Sequence, residues 1–165
     1  VIGVAAADGR DDALAGDVED VPGMAEACRR FPMPAPDEAA HALRELSWGE
    51  QFVAGRMVPS KGGSDLYLYN LRSAAVFLLD RDRANVGKGA DQIIKLIDVD
   101  GFVAWVRDTV GDGALAAAIE RECPPDDPYR DRLEGVQRLL ALRMVQYGAV
   151  EDALRAADGE PDEGA

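Results

Sequence analysis

The stretch Asp65-Leu66-Tyr67-Leu68-Tyr69-Asn70-Leu71-Arg72-Ser73-Ala74-Ala75-Val76-Phe77-Leu78-Leu79-Asp80 is the most apolar in the chain, and its reading decides the fold. The opening Leu66-Tyr67-Leu68-Tyr69 suits a strand, because aromatic and aliphatic side chains fit a pleated surface. The later Ala74 to Leu79 is the longest apolar run of the sequence. Taken as continuous, the segment makes a long central helix, hydrophobic on most sides as a helix enclosed by others is. The continuous reading predicts an all-α fold; the alternative is α+β with a short strand at 66–70.

On the N-terminal side, Pro59-Ser60-Lys61-Gly62-Gly63-Ser64 is a break, since a proline and paired glycines leave no regular element standing. Before it, Ser47-Trp48-Gly49-Glu50 has capping-box spacing and predicts a helix through about Met57, with Trp48 and Phe52 buried together. Asp37 is placed to cap a helix through Leu46 whose apolar side is Ala39, Ala40, Leu43 and Leu46. The run Phe31-Pro32-Met33-Pro34-Ala35-Pro36 forces an extended connection. Ahead of that, Met24, Ala27, Cys28 and Phe31 share one face of a short helix opened by Pro22 and ending near Arg29 and Arg30. Residues 1–20 carry six acids from Asp8 to Asp20 without an apolar stripe, and read as a loosely ordered acidic arm.

On the C-terminal side, a turn at Asn85 to Gly89 precedes a helix through Ile93, Ile94, Leu96 and Ile97. Asp100 is placed to cap the next helix, with Phe102, Val103, Trp105, Val106 and Val110 as its stripe. Gly111-Asp112-Gly113 ends it, Asp112 starts Ala114 to Glu122, and Cys123-Pro124-Pro125 stops that one. Asp127 and Pro128 open the final long helix, in which Tyr129, Leu133, Val136, Leu140, Met144 and Tyr147 recur at three- and four-residue steps and Glu134 pairs with Arg138. A shorter piece covers Val150 to Ala157, and 158–165 is a disordered tail. The sum is a single compact multi-helical domain of about seven short helices over 21–157, with most of its core from residues 66 to 147.

The formal charge is −13, unevenly spread. Residues 1–55 hold eleven acids and four bases (−7), residues 56–95 four acids and seven bases (+3), and residues 96–165 sixteen acids and seven bases (−9). Such a chain repels phosphate backbones and anionic lipid, which excludes nucleic acid and membrane surfaces as whole-surface partners. The basic middle is expected to answer flanking acids inside the fold. No run of about 18 apolar residues exists to cross a bilayer. Two cysteines without metal or disulfide spacing suggest a reducing, cytoplasmic setting.

His41 is the sole histidine. A zinc site from Cys28, His41 and Cys123 lacks paired ligand spacing, and a Cys28 thiolate with a His41 imidazole has no local signature. Asp98-Val99-Asp100-Gly101 resembles a piece of a calcium loop, but Phe102 and Val110 stand where oxygen ligands are needed. Carboxylates from Glu120 to Asp131 read as a solvated face. Gly87-Lys88-Gly89 fails as a phosphate loop, with Asp82 in place of its first glycine and Gly89 in place of the hydroxyl. What survives is an anion-binding candidate, Arg81, Arg83 and Lys88, beside flexible glycines and a helix start. Ser60 with Lys61 reads as a solvated loop pair, and Tyr67 with Tyr69 as core. No catalytic residue, metal or cofactor is expected.

These readings favour a non-catalytic protein-interaction or regulatory domain whose acidic helical surface engages a protein partner or a copy of itself. Second stands a small-molecule binding protein or enzyme that takes an anionic ligand on the basic segment 81–95. Third stands a DNA-mimic inhibitor, on charge density alone.

Overall fold

We describe a computed structural model of the chain, whose described residues are 21–59, 61–80 and 93–159. The acidic arm 1–20 lies outside them. Among the described residues there are six α-helices and a three-stranded antiparallel sheet, so the fold is α+β rather than the all-α bundle the periodicity suggested. The helices are α1 (Met24–Arg30), α2 (Pro36–Ala42), α3 (Leu71–Leu79), α4 (Val99–Trp105), α5 (Gly113–Glu122) and α6 (Tyr129–Asp158). The strands are β1 (Phe52–Val58), β2 (Gly62–Leu68) and β3 (Ile94–Leu96), in the order β2-β1-β3.

The correction falls on three segments, each for a local reason. Ser47 to Glu50 does make capping-type bonds, Ser47 N to Glu50 Oε2 at 2.9 Å and Glu50 N to Ser47 O at 3.0 Å. Gly49, however, sits at φ +100°, a left-handed conformation that interrupts a right-handed helix running through it. The chain leaves that turn extended as β1. Trp48 is 86% exposed, and Phe52 instead packs edge-on to Phe102 and tilted against Trp105, with centroids 5.4 and 5.6 Å away. The indole N–H of Trp105 donates to Glu50 O at 2.8 Å, fixing the ring beneath the turn.

The segment 65–80 is split at Asn70. Its side chain accepts from Ser73 N at 2.7 Å, capping α3 and ending the extended chain before it. The strand alternative at 66–70 was therefore close, although β2 begins earlier, at Gly62. The glycines that read as a gap instead close a hairpin: Lys61 N donates to Val58 O at 2.9 Å, and Gly62 takes φ +88°. The predicted helix through Ile93 to Ile97 is β3, paired to β1 through Gly55↔Leu96, Arg56↔Lys95 and Met57↔Ile94.

Elements bounded by proline, glycine and capping acids form where the sequence placed them, with small shifts. Asp112 Oδ1 accepts from Leu115 N at 3.0 Å and starts α5, burying Leu115, Ala118 and Ile119. α2 begins at Pro36, is held by Glu38 Oε2 accepting from Ala35 N at 2.9 Å, and stops at Ala42. Asp98 rather than Asp100 precedes α4; Asp100 instead pairs with Arg132 at 2.7 Å. α6 runs unbroken for 30 residues through Gly148 into the expected tail at Asp158, about 45 Å of rod. Glu134 pairs with Arg130 rather than Arg138, which reaches Glu122 at 3.4 Å.

The core is wrapped on α6, whose Val136, Leu139, Leu140 and Tyr147 are buried against α1, α2, α3 and α5. It draws on Met24, Phe31, Phe52 and Ala54 as well as on the later residues. α4 runs into a π-helical turn, Val106–Val110, in which Gly111 N reaches Val106 O at 2.9 Å. Arg44 donates to Thr109 O and Val110 O at 2.6 and 2.9 Å, meeting the carbonyls at the end of that wider turn. No helix among the described residues is long and apolar enough to cross a membrane.

Candidate functional site

Arg81, Arg83 and Lys88, the anion-binding candidate, lie outside the described residues, as does Ser60. Among the described residues no three His, Cys, Asp or Glu side chains gather where they could hold a metal. Cys28 is an exposed free thiol whose Sγ accepts from Gln146 Nε2 at 3.8 Å, and Cys123 is buried against Gly135. The His41 imidazole lies instead over Gly111, so close that a Cβ there would come within 2.8 Å of Nε2. Thiol and imidazole thus have separate neighbours.

The most concentrated polar chemistry in the interior is a cluster the sequence did not assemble. Asp112, Arg143 and Gln146 are the buried polar residues among the described residues, with Tyr147 beside them. Arg143 donates from Nε to Asp112 Oδ2 at 2.9 Å and from Nη2 to Asp112 Oδ1 at 3.1 Å, a two-pronged pair. Its Nη1 donates to Pro32 O at 2.9 Å and to Gln146 Oε1 at 2.8 Å, and Gln146 Nε2 donates to Phe31 O at 3.1 Å. The Tyr147 hydroxyl donates to Asp112 Oδ2, and the guanidinium lies over the Tyr147 and Phe31 rings at 4.9 and 5.3 Å.

Burial works against the Arg143 charge, but the hydrogen bonds and negative charge of Asp112 outweigh it and hold the guanidinium above its ordinary pKa. Burial first, and the Asp112 charge second, push the Tyr147 phenol well above its usual range. A pocket of about 500 Å3 opens beside the cluster between α2 and the start of α5. The cluster is nevertheless spent on itself: Asp112 accepts from Leu115, Arg143 and Tyr147, and Arg143 and Gln146 satisfy the carbonyls between α1 and α2. Its chemistry is that of a clamp joining three segments, the α1–α2 connection, the start of α5 and α6, with no base or nucleophile left over within it.

The unspent surface is the sheet. Its register puts Val53 beside Tyr67, Met57 beside Ile94 and Gly55 beside Leu96, all on the face away from the helices. Val53, Met57, Tyr67, Ile94 and Leu96 are each between 37% and 52% exposed. Gly55 lets Leu96 lie across the middle strand, since a Cβ there would sit 3.2 Å from Leu96 Cβ. Asp65, opposite Gly55, is the charged side chain of this face. Tyr67, expected in the core, is thus an exposed member of an apolar patch.

Comparison of the chain with protein-family models, with curated proteins and with solved structures finds no match.

Proposed function

We propose that this protein is a non-catalytic interaction domain that associates with a second copy of itself through the outer face of the sheet. The observation that carries the reading is the row of five half-exposed apolar side chains on one face of β2-β1-β3. Two sheets packed face to face stand about 10 Å apart and bury both such faces. Charge selects the occupant. In a chain of formal charge −13, this face carries Asp65 alone among the described residues of its strands, so two copies meet here without apposing their acidic helices.

This moves the docking surface from the acidic helical exterior to the sheet. Two strands of seven residues flanked by one of three give a face no larger than roughly 23 by 14 Å. That is smaller than the roughly 800 Å2 per partner of a standard stable complex, so the association is weak and concentration-dependent. The two free thiols, Cys28 and Cys123, support placing this activity in the cytoplasm.

Sedimentation velocity across a dilution series tests the reading. Dimer is expected to accumulate with protein concentration. It is also expected to increase with ionic strength, because raising salt from about 0.01 to 1 M shortens the screening length from about 30 to 3 Å and silences the repulsion between the acidic bodies. Met57→Glu is expected to leave only monomer. A wild-type chain that stays monomeric throughout, or a dimer that survives Met57→Glu, overturns the proposal; the former leaves a different protein as the partner.

A further inference from the structure

Asp65 is exposed and stands opposite Gly55, so it shares the outer face of the sheet with Val53, Met57 and Tyr67. Gly55 is also the register partner of Leu96, which places Asp65 and Leu96 at one level on either side of the middle strand. Neighbouring strands lie about 4.8 Å apart, so the backbones that carry these two residues are about 10 Å from each other. Val53 and Met57 run along β1 between them, about 13 Å apart.

Two identical faces close on each other by a two-fold axis, because the same patch serves both copies, and the axis can take either of two directions. With the axis across the strands, β2 lies over the partner's β2, and β1 runs opposite to the partner's β1. Centred on the apolar row, this arrangement brings Asp65 down on the partner's Asp65, and like charges set against each other in a contact are costly. Sliding the copies along the strands to part the acids uncovers a row only about 13 Å long. With the axis along the strands, β1 lies over the partner's β1 in the same direction, and β2 lies over the partner's β3. Asp65 then sits over the partner's Leu96, two strand widths to the side of the partner's Asp65. Among the described residues β2 and β3 are the edge strands, so the carboxylate falls at the rim of the contact, where charges keep their water.

We infer, on the reading that two copies associate through this face, that Asp65 is the residue that fixes their orientation. It selects β1 stacked on the partner's β1 in the same direction, with Val53 against the partner's Val53, Met57 against the partner's Met57, and Asp65 over the partner's Leu96. The apolar row supplies the attraction, and the single carboxylate rejects the turned-over arrangement. A rim charge acts in this way, deciding which geometry forms more than how tightly it holds. The geometry carries a consequence for position 96. A cation placed there meets an acid twice in each dimer, once from each copy.

Sedimentation equilibrium of the full chain and its variants tests the assignment, at about 0.15 M ionic strength so that charges more than about 8 Å apart are screened. Asp65 and Leu96 are both exposed in the monomer, so substitutions there keep the fold. Leu96→Lys is expected to dimerise about threefold or more tightly than Leu96→Gln, through two opposed charge pairs per dimer. That advantage is expected to be lost when Asp65→Asn is added to both. Fluorescently labelled wild type is expected to bind Asp65→Lys within about threefold of its affinity for unlabelled wild type, because the two positions 65 stand apart. A Leu96→Lys advantage that is absent, or that persists with Asp65→Asn, overturns the inference, as does preferential pairing of Asp65→Lys with wild type; each leaves the self-association standing. A wild-type chain that stays monomeric at every concentration overturns both.

Discussion

The half of the molecule built on α6 and the half built on the sheet use polar and apolar groups in opposite ways. Around α6, Val136, Leu139 and Leu140 are completely buried, and even the charged Arg143 and Asp112 are sealed in and matched to each other. In the sheet, Val53, Met57, Tyr67, Ile94 and Leu96 stay in contact with water, and Arg56 faces Lys95 across a strand boundary. One half has resolved its interactions internally. The other has left a row of apolar side chains in water, and this contrast separates scaffold from working surface.

The sharpest way to break that division is Asp112→Ala. It strands the buried Arg143 charge and removes the α5 cap, and should lower unfolding free energy by about 3–5 kcal/mol in urea titrations; a loss under about 1 kcal/mol means the clamp is not what holds the helical half together. Next comes Tyr147→Phe, which deletes a hydrogen bond to a buried charged acceptor, worth about 1.5–3 kcal/mol. This variant also reads pH. The folded state holds the phenol proton more tightly than the unfolded chain does. Stability from Tyr147 is therefore complete below the unfolded value of about 10 and declines as pH rises beyond it. Wild type should lose stability on the alkaline limb faster than Tyr147→Phe, as followed by thermal melts; parallel limbs contradict the assignment.

Smaller effects sharpen the boundary between the halves. Asn70→Ala removes the cap at which β2 gives way to α3 and should cost about 1 kcal/mol, while conversion to a single long helix, visible by circular dichroism, is not expected. Smallest of all, Val53→Ser on the outer face should change monomer stability by no more than about 0.5 kcal/mol, since the side chain is nearly half in water already. A large loss there means the sheet face is already covered within the monomer.

The same contrast governs what could be read from the residues alone. Helix α5 was legible because Asp112 caps it and Cys123-Pro124-Pro125 closes it, and α6 because its apolar residues recur along a face that is truly enclosed. Strand β1 was not, because a half-buried strand is recognised by apolar residues alternating with polar ones. Here Val53 and Met57 on the outer face are as apolar as Phe52 and Ala54 on the inner, and the polar Arg56 falls on the inner side, at its open end. The uncovered face that suggests a function is what concealed the strand. Ser47 and Glu50 added a false start, since their bonds close a turn and Gly49 redirects the chain.

The candidate sites were legible only as an inventory. The excess of bases in residues 56–95 drew attention to Arg81, Arg83 and Lys88, adjacent in sequence to flexible glycines. The apolar row of the outer face comes together through the antiparallel pairing of β1 with β2 and β3, which depended on the strands that were missed. The clamp left one trace: Arg143, Gln146 and Tyr147 put polar atoms onto the enclosed side of α6, where an unbroken apolar stripe would have sufficed.

The two carbonyls between α1 and α2 set an order of events during synthesis. Phe31 O and Pro32 O are met by Gln146 and Arg143, 115 and 111 residues further on. Until α6 has emerged from the ribosome these two carbonyls lack their side-chain donors, and the two helices, at seven residues each, are too short to persist alone. The α1–α2 connection is therefore completed only after more than a hundred further residues have been made.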